Sequence, residues 1–306
     1  MGSVSPPIPP ATMPIISPSA LVQAHISQTP PVRPSGRQPT EPRPIHLNIG
    51  ALTHTHGSSL VRIGATTIVC GVRGEILPVS EIASFQPPQP YNLAVPNLEL
   101  STGCSPLHPA NAAPSLEAQS ISQRLLSLLL SSRLVRQEQL EITHTPELNP
   151  FLALPDGPPP QEEEDAAAPE LKAFWVLYID MVCLSHAGCG SVFDAAWLAM
   201  YAALRHTRLP RAVWDADAKQ VFCSPDVREA TVLRLRGVPV PLSFGVFVSD
   251  ERAAHAATGE TVLLRVEKSG GSGRVGLPEL RVLVGIAKAR RSQWQRVLQS
   301  ASTELG

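Results

Sequence analysis

Proline limits what this chain can fold into more than any other residue. The sequence has 306 residues and 32 prolines, and twelve of them lie within residues 1–44. Each proline removes a backbone donor and fixes φ near about −65°, so a segment this rich in proline cannot build a core of its own. We expect residues 1–30 to be a disordered arm, with Arg33, Arg37 and Arg43 as charged points for a partner, and the folded domain to begin near residue 31.

The rest of the composition indicates a globular domain without a global charge. Hydrophobic residues make up 43% of the chain, and 25 Lys and Arg against 26 Asp and Glu give a formal charge of −1. No overall basic field attracts nucleic acid or lipid, so any RNA binding must be local or shared with partners. The longest apolar helical stretch is far shorter than the about 20 residues that cross a bilayer, which predicts no membrane span.

The five cysteines are an odd number, widely spaced and mostly set among apolar neighbours. That pattern is not typical of a disulfide framework and favours buried thiols in a reducing compartment. We therefore expect the protein in the cytosol or the nucleus.

The pattern of apolar residues predicts an α+β domain with helices packed on a mixed sheet. Residues 171–184 are apolar on both alternations, which predicts a central strand covered on both faces. An alternating strand at Ile45–Ile49 and a second strand from Ser59 to Gly71 precede it, joined by a turn at His56-Gly57. Helices are expected over residues 115–138, 193–204 and 278–299. Shorter strands are expected at residues 213–214, 221–223, 231–235, 242–248 and 261–267.

A solvated insertion is expected within the domain at about residues 146–170, where a three-proline run and an acidic run occur together. The stretch that precedes the first long helix, up to about Pro114, is expected to be irregular.

Motifs that would identify common enzyme classes are absent or incomplete. The turn Gly188-Cys189-Gly190 lacks the third glycine and the acidic residue of a dinucleotide site, so a tight turn is the simpler interpretation. The pairs His54/His56 and His186/Cys189 lack the further ligands of a closed zinc site. We therefore predict no metal and no cofactor.

Two carboxylates stand out without indicating catalysis. Asp180 interrupts the apolar central strand and needs a hydrogen bond or an ion pair there; a catalytic acid is the sharper alternative. Asp194 lies near the start of the following helix, where a carboxylate complements the helix dipole.

Five stretches resemble one known family in the same order. The five stretches are residues 33–50, 57–76, 95–106, 174–204 and 270–273. They include the sequences VPNLELSTGCSP, FWVLYIDMVCL, FDAAWLAMYAAL and GGSG. Together they resemble the RNase PH family, and within it the non-phosphorolytic ring subunits of the eukaryotic RNA exosome. The resemblance implies an RNase PH-like domain over residues 31–302, similar to the second domain of ribosomal protein S5. It also implies a six-membered ring of such domains around an RNA channel, with cap subunits that carry RNA-binding domains.

The residues that active members of this family use are missing here. The resemblance places Val192 where a phosphate-gripping arginine follows the central strand, and Ala118 where a second arginine precedes the Gln-Arg pair of the first long helix. Active members carry two late aspartates, whereas this chain offers only Asp250. Loss of positioned charge of this kind removes several kcal/mol of transition-state stabilisation, so no intrinsic phosphorolysis is expected.

Three functions are open from the sequence. The first is a structural and RNA-channel subunit of the exosome ring, which supports 3′-to-5′ processing of single-stranded RNA, with Arg62, Arg73 and Arg124 as candidate RNA contacts. The second is a phosphate-dependent 3′ exoribonuclease whose active site is completed across an interface. The third is a monomeric adaptor whose Pro-rich arm binds an aromatic groove.

Overall fold

The computed structural model describes residues 12, 16–82, 92–105, 108, 115–144, 169–186, 191–245 and 275–303. Two compact units divide the chain: Met1–Pro44 with Phe244–Ser292, and Ile45–Ser243 with Gln293–Gly306. The predicted insertion at 146–170 lies almost wholly outside the described residues, as do Asp250 and the strand expected at 261–267.

A mixed sheet forms the centre of the second unit, which confirms the predicted α+β class. Its strands run in the order β1-β2-β3-β6-β4, with β5 paired beside β4 along the same edge of β6. Only β4 and β6 are parallel. The strands are β1 Ile45–Ile49, β2 Gly57–Ile63, β3 Thr66–Pro78, β4 Ala94–Leu100, β5 Glu141–His144 and β6 Glu170–Ser185.

The stretch expected as one strand from Ser59 to Gly71 is two strands of a hairpin, β2 and β3. Ile63 pairs with Thr66, so the loop is Gly64-Ala65. Gly64 has φ +62°, which is the glycine at the first loop position that tight hairpins require. The expected turn at His56-Gly57 is also displaced, because β2 already begins at Gly57.

The central strand β6 is buried on both faces at Ala173–Trp175 and mainly on one face from Leu177 onward. Trp175, Leu177, Ile179 and Met181 are buried, whereas the side chains that alternate with them become exposed from Tyr178 onward. The prediction that this strand is covered on both faces therefore holds for its first part and is wrong from Tyr178 onward for this chain by itself. The exposed side of β6 is continuous with exposed residues of β3 and β4 across the paired register.

Helix α2, Leu116–Ser132, packs on the sheet through Ala118, Ile121, Leu125 and Leu129. It ends six residues before the predicted end. Arg133 adopts a left-handed conformation with φ 46°, and its N–H bonds to the carbonyl of Leu130, so the helical ladder cannot continue.

Helix α3, Val192–His206, is buried along almost its whole length. It approaches β2 closely because small residues face it there. Ser59 Oγ donates to the carbonyl of Ala199 at 2.7 Å, and a Cβ added at Gly57 would lie 2.5 Å from the carbonyl oxygen of Ala203.

The last strands of the second unit are short. They are β7 Arg208–Leu209, β8 Ala212–Asp215, β9 Gln220–Cys223 and β10 Thr231–Val232. β8 and β9, which include the strands predicted at 213–214 and 221–223, pair as an antiparallel hairpin. The strand expected at 242–248 is absent over its described part, 242–245. The final helix α4, Leu277–Thr303, matches the predicted terminal helix, and its Trp294 and Leu298 lie in the core of this unit.

The first unit contains helix α1, Pro18–Ile26, within the segment expected to be a disordered arm. Pro18 lies in the first turn, where backbone N–H groups have no acceptor within the helix, so the N–H that proline lacks costs no helical hydrogen bond. The eight residues that follow it and precede Ser27 include no proline, so the local sequence permits a short helix although the arm as a whole is rich in proline. The division of the whole chain into arm, domain and insertion stays a prediction.

Candidate anion site at the start of helix α3

An open cavity of about 350 Å³ lies where α2, the end of β6 and the start of α3 meet. Its lining residues are Glu117, Ser120, Ile121, Arg124, His186, Ser191, Val192, Phe193 and Ser243. This cavity brings together two residues that the sequence singles out, Arg124 and Val192. Ala118 is not among the lining residues and is buried on the core face of α2.

Helical spacing explains how α2 contributes to the cavity. Glu117, Ser120, Ile121 and Arg124 follow the three- and four-residue steps that place side chains on one face. Arg124 is half-buried. The helix begins at Ser115, whose Oγ accepts the N–H of Ala118 at 3.1 Å, so Ala118 is fixed within the first turn, where the resemblance would place an arginine.

The start of α3 is a closed network of hydrogen bonds. Ser191 caps the helix, because its Oγ accepts the N–H of Asp194 at 3.1 Å. The Asp194 carboxylate accepts the Ser243 N–H at 2.9 Å and the Ser243 hydroxyl at 3.0 Å. The Ser191 and Ser243 hydroxyls lie 2.8 Å apart. The positive end of the helix dipole is therefore complemented by a carboxylate of the same helix.

Val192 gives the cavity wall an apolar surface next to this network. It is the first residue of α3 and only 4% exposed. An arginine at that position would direct a guanidinium toward an anion at the helix N-terminus, whereas an isopropyl group offers no donor. The cavity wall therefore has an uncharged side chain at residue 192.

The ionisable side chains that line the cavity are the guanidinium of Arg124, the imidazole of His186 and the carboxylate of Glu117. His186 belongs to the end of β6: its backbone N–H donates to the carbonyl of Cys104 at 2.6 Å, and its Nδ1 lies 3.5 Å from the Thr66 hydroxyl. Among the described residues, no three His, Cys, Asp or Glu side chains are grouped so as to hold a metal ion.

The other two candidate RNA contacts, Arg62 and Arg73, lie away from the cavity on the exposed face of the sheet. Arg62 Nε donates to the carbonyl of Gly64 at 3.2 Å. Arg73 forms a 4.0 Å ion pair with Asp180, and both side chains are more than half exposed. Asp180 thus has the predicted ion pair, together with Asn97 at 3.5 Å, but not the burial that we expected for it.

Neither histidine of the pair His54/His56 serves as part of a described metal cluster. His56 Nδ1 instead accepts the backbone N–H of Gly74 at 2.9 Å, and its ring meets the edge of Trp175. Cys189 of the second pair lies outside the described residues.

Sequence reasoning missed three parts of this site. Glu117 carries a signal in retrospect, because it lies seven residues before Arg124 on one face of α2. His186 was considered only as a metal ligand. Ser243 carries no local signal, because it is 49 residues from Asp194 in sequence.

No helix within the described ranges has the length and apolar character needed to cross a bilayer.

Residues 41–210 match the family described as "3′ exoribonuclease family, domain 1", RNase_PH. The match covers more than half of the chain, and the protein belongs to this family.

Curated relatives are named as exosome components. The chain is 35% identical over 193 residues to exosome complex component rrp43 of Schizosaccharomyces pombe, across 63% of this chain and 59% of that protein. It is 24% identical over 284 residues to exosome complex component Rrp42 of Thermococcus gammatolerans, across 88% and 90% of the two chains. It thus spans about three-fifths of the length of the fission-yeast relative.

A solved structure of the Archaeoglobus fulgidus exosome with RNA bound to the active site is also similar. The TM-score is 0.47 and the identity 20%, over 70% of this chain and 66% of that one.

Proposed function

We propose that this protein is a non-catalytic structural and RNA-channel subunit of an RNA exosome ring, in the place that rrp43 takes in Schizosaccharomyces pombe. Its partners are other RNase PH-like subunits in a six-membered ring, cap subunits with RNA-binding domains, and single-stranded RNA. Membership of the family and the names of two relatives support this role. The proposal includes no metal and no cofactor.

One observation supports the non-catalytic part of the proposal: a negatively charged carboxylate of the helix itself already lies at the start of α3. The Asp194 carboxylate takes both hydrogen bonds of Ser243 there, and Val192 supplies no cation. A phosphate within about 5 Å of this carboxylate would meet a repulsion of about 3 kcal/mol per unit charge at an effective dielectric constant of about 20. Without a guanidinium at residue 192, nothing at that position offsets the repulsion.

The exposed face of the sheet supports assembly. Val95, Tyr178 and Leu184 expose 40%, 37% and 50% of their surface on this chain. Val95 and Tyr178 are paired neighbours in the sheet. Large apolar side chains grouped on one face indicate a surface that another protein covers.

Co-purification with the ring partners tests the assembly. A tagged chain co-expressed with its RNase PH-like neighbours and the cap subunits should elute as one complex of about nine different chains, the six-membered ring with its caps, and each complex should hold one copy of this chain. Tyr178→Arg should reduce the yield of ring, while Val213→Arg on the exposed β8 hairpin controls for the charge change. A wild-type chain that stays monomeric beside folded partners would refute ring membership and favour the adaptor.

The alternative is a composite phosphate-dependent exoribonuclease, and one observation favours it: the position of Arg124. It is a guanidinium at the cavity, next to His186, and a neighbouring subunit could complete the set of charges. This alternative predicts that the assembled ring degrades RNA only with phosphate and that Arg124→Gln in this subunit abolishes the activity.

The same proposal places the protein in the nucleus, nucleolus and cytoplasm. Fluorescence of a tagged chain expressed at its native level should appear in all three and overlap with a tagged ring partner. Confinement to a membrane-bounded organelle outside the nucleus would contradict it.

A further inference from the structure

Positive charge is concentrated in the first unit, although the whole chain is close to neutral. Residues 1–44 and 244–292 contain eleven Lys and Arg and six Asp and Glu, a formal charge of +5, eleven less six, against −1 for the full chain. Within the described part of this unit the imbalance is sharper, with seven cations and two glutamates. The near-zero net charge therefore conceals a locally basic unit.

Three arginines of this unit form a cluster, which we call the arginine cluster: Arg33, Arg37 and Arg43. The turn that carries them is closed by backbone bonds, since the Arg33 N–H donates to the Arg37 carbonyl at 2.8 Å and the Gly36 N–H to the Arg33 carbonyl at 2.8 Å. Gly36 has φ +80°, a left-handed conformation that glycine allows here. The turn brings the first two arginines, four residues apart in sequence, together.

A fourth arginine binds the end of the segment that contains the arginine cluster. Arg290 of α4 is 9% exposed, and its Nη2 donates to the backbone carbonyl of Arg43 at 3.1 Å. The Arg290 guanidinium thus holds the end of the segment on α4 and adds its own positive charge. The segment is fixed at both ends, by the turn at residues 33–37 and by this contact.

Residues 31–44 hold three arginines and one carboxylate, that of Glu41. Desolvation by burial is the largest cause that lowers the pKa of Arg33; the neighbouring Arg37 and Arg43 lower it further, and Glu41 opposes them. The Arg37 Nη1 is shielded from solvent and has no hydrogen-bond partner. A shielded guanidinium nitrogen without an acceptor costs free energy.

We propose that the arginine cluster binds the phosphodiester backbone of single-stranded RNA. Guanidinium groups bind phosphate oxygens bidentately, and closely placed cations suit a polymer that carries one charge per nucleotide. An acidic protein surface fits less well, because no large apolar side chain is exposed among residues 27–44 and a protein interface needs an apolar core. The inference rests on the proposed function, which supplies RNA as the substrate.

Binding of a labelled oligouridine to the full-length chain tests the site. Affinity is measured by fluorescence anisotropy between about 50 and 200 mM salt. Arg33→Gln/Arg37→Gln should weaken binding roughly tenfold and reduce the slope of log K against log salt by about 1.4, because each phosphate contact to a single strand contributes about 0.7. Arg136→Gln/Arg228→Gln removes the same charge from exposed positions of the other unit and should leave the slope nearly unchanged.

Two further measurements exclude a merely structural effect. Arg33→Lys/Arg37→Lys keeps both charges and should restore most of the slope, and thermal unfolding of every variant shows whether the fold is retained. A folded double Gln variant with the wild-type slope would overturn the inference, as would poly-glutamate that competes for the cluster more tightly than RNA of equal charge.

Co-purification separates this inference from the proposed function. If the double Gln variant still joins the ring but binds RNA with the wild-type slope, only the arginine cluster is misassigned. If the wild-type chain joins no ring, the proposed function fails whatever the RNA result.

Discussion

Two histidines at one corner of the sheet are held in their neutral form by the backbone. His56 Nδ1 accepts the Gly74 N–H at 2.9 Å, and His206 Nδ1 accepts the Ser58 N–H at 3.4 Å. Burial lowers the pKa of both, and the neighbouring Arg208 contributes at His206. A protonated Nδ1 cannot accept, so each imidazolium would also lose its backbone partner.

Acid should therefore destabilise the native state through these two side chains. Because their native pKa values lie below 6.5, the unfolded chain binds more protons, and the free energy of unfolding falls as pH drops below about 6.5. Urea unfolding at pH 7.5 and pH 5.5 measures the loss. His56→Gln/His206→Gln offers acceptors that do not titrate and should reduce the loss, whereas the exposed His46→Gln should not. A double variant as acid-sensitive as wild type would refute this role.

Thiol reactivity should follow burial residue by residue. Cys70, Cys104 and Cys183 are buried and Cys223 is exposed, so the expectation of buried thiols holds for three of these four. Burial raises the pKa of Cys70 and raises that of Cys183 to about 12. In a Cys189→Ser background at pH 8, one thiol should react rapidly with a disulfide reagent, and Cys223→Ser should remove it. Rapid reaction of two or more thiols would contradict the burial.

At the scale of elements, the pattern of apolar residues identified the long elements and several short strands but missed β4 and β5. The strand β6 and the helices α2, α3 and α4 carry enough residues for a period to be visible. The stretch that holds β4 was expected to be irregular. β4 contains Pro96 and lies at the end of the strand order, where a strand tolerates a missing donor. β5 has only four residues. The end of α2 depends on the left-handed Arg133, which no residue preference predicts.

The close approach of α3 to β2 depends on a single glycine. A Cβ at Gly57 would lie 2.4 Å from Thr207 Oγ1 and 2.5 Å from the Ala203 carbonyl oxygen, so Gly57→Ala must displace the end of the helix. We expect a loss of about 2–4 kcal/mol in the free energy of unfolding, measured with urea. At Gly71 the nearest atoms are side-chain atoms at 3.1 Å and beyond, so Gly71→Ala should cost clearly less. Equal losses would show that the helix moves freely.

At the scale of the whole molecule, charge is distributed unevenly and the candidate anion site is only partly visible from sequence. Val192 was identified from the resemblance, and the structure places it in the wall of a cavity with Arg124. The bonds from Ser243 to Asp194 join residues far apart in the chain. Only the folded structure therefore shows that these bonds hold a carboxylate of the same chain at the positive end of the α3 dipole. The positive first unit was likewise hidden by a net charge of −1.

The isolated chain should bind single-stranded RNA weakly. About three phosphate contacts in the arginine cluster give a slope of log K against log salt of about −2. Anisotropy titration of the purified monomer measures this slope. A slope steeper than about −4 would mean that the chain carries a much larger RNA surface than its charges indicate.

Phosphorolysis by the reconstituted ring tests the central claim most directly. The ring, purified with this subunit and incubated with 3′-labelled RNA and inorganic phosphate, is assayed for release of nucleoside diphosphates. We predict no phosphate-dependent release assigned to this subunit, because Val192 supplies no cation at the start of α3 and the Asp194 carboxylate lies there. Release that survives repurification and disappears in a ring carrying Arg124→Gln would contradict the account.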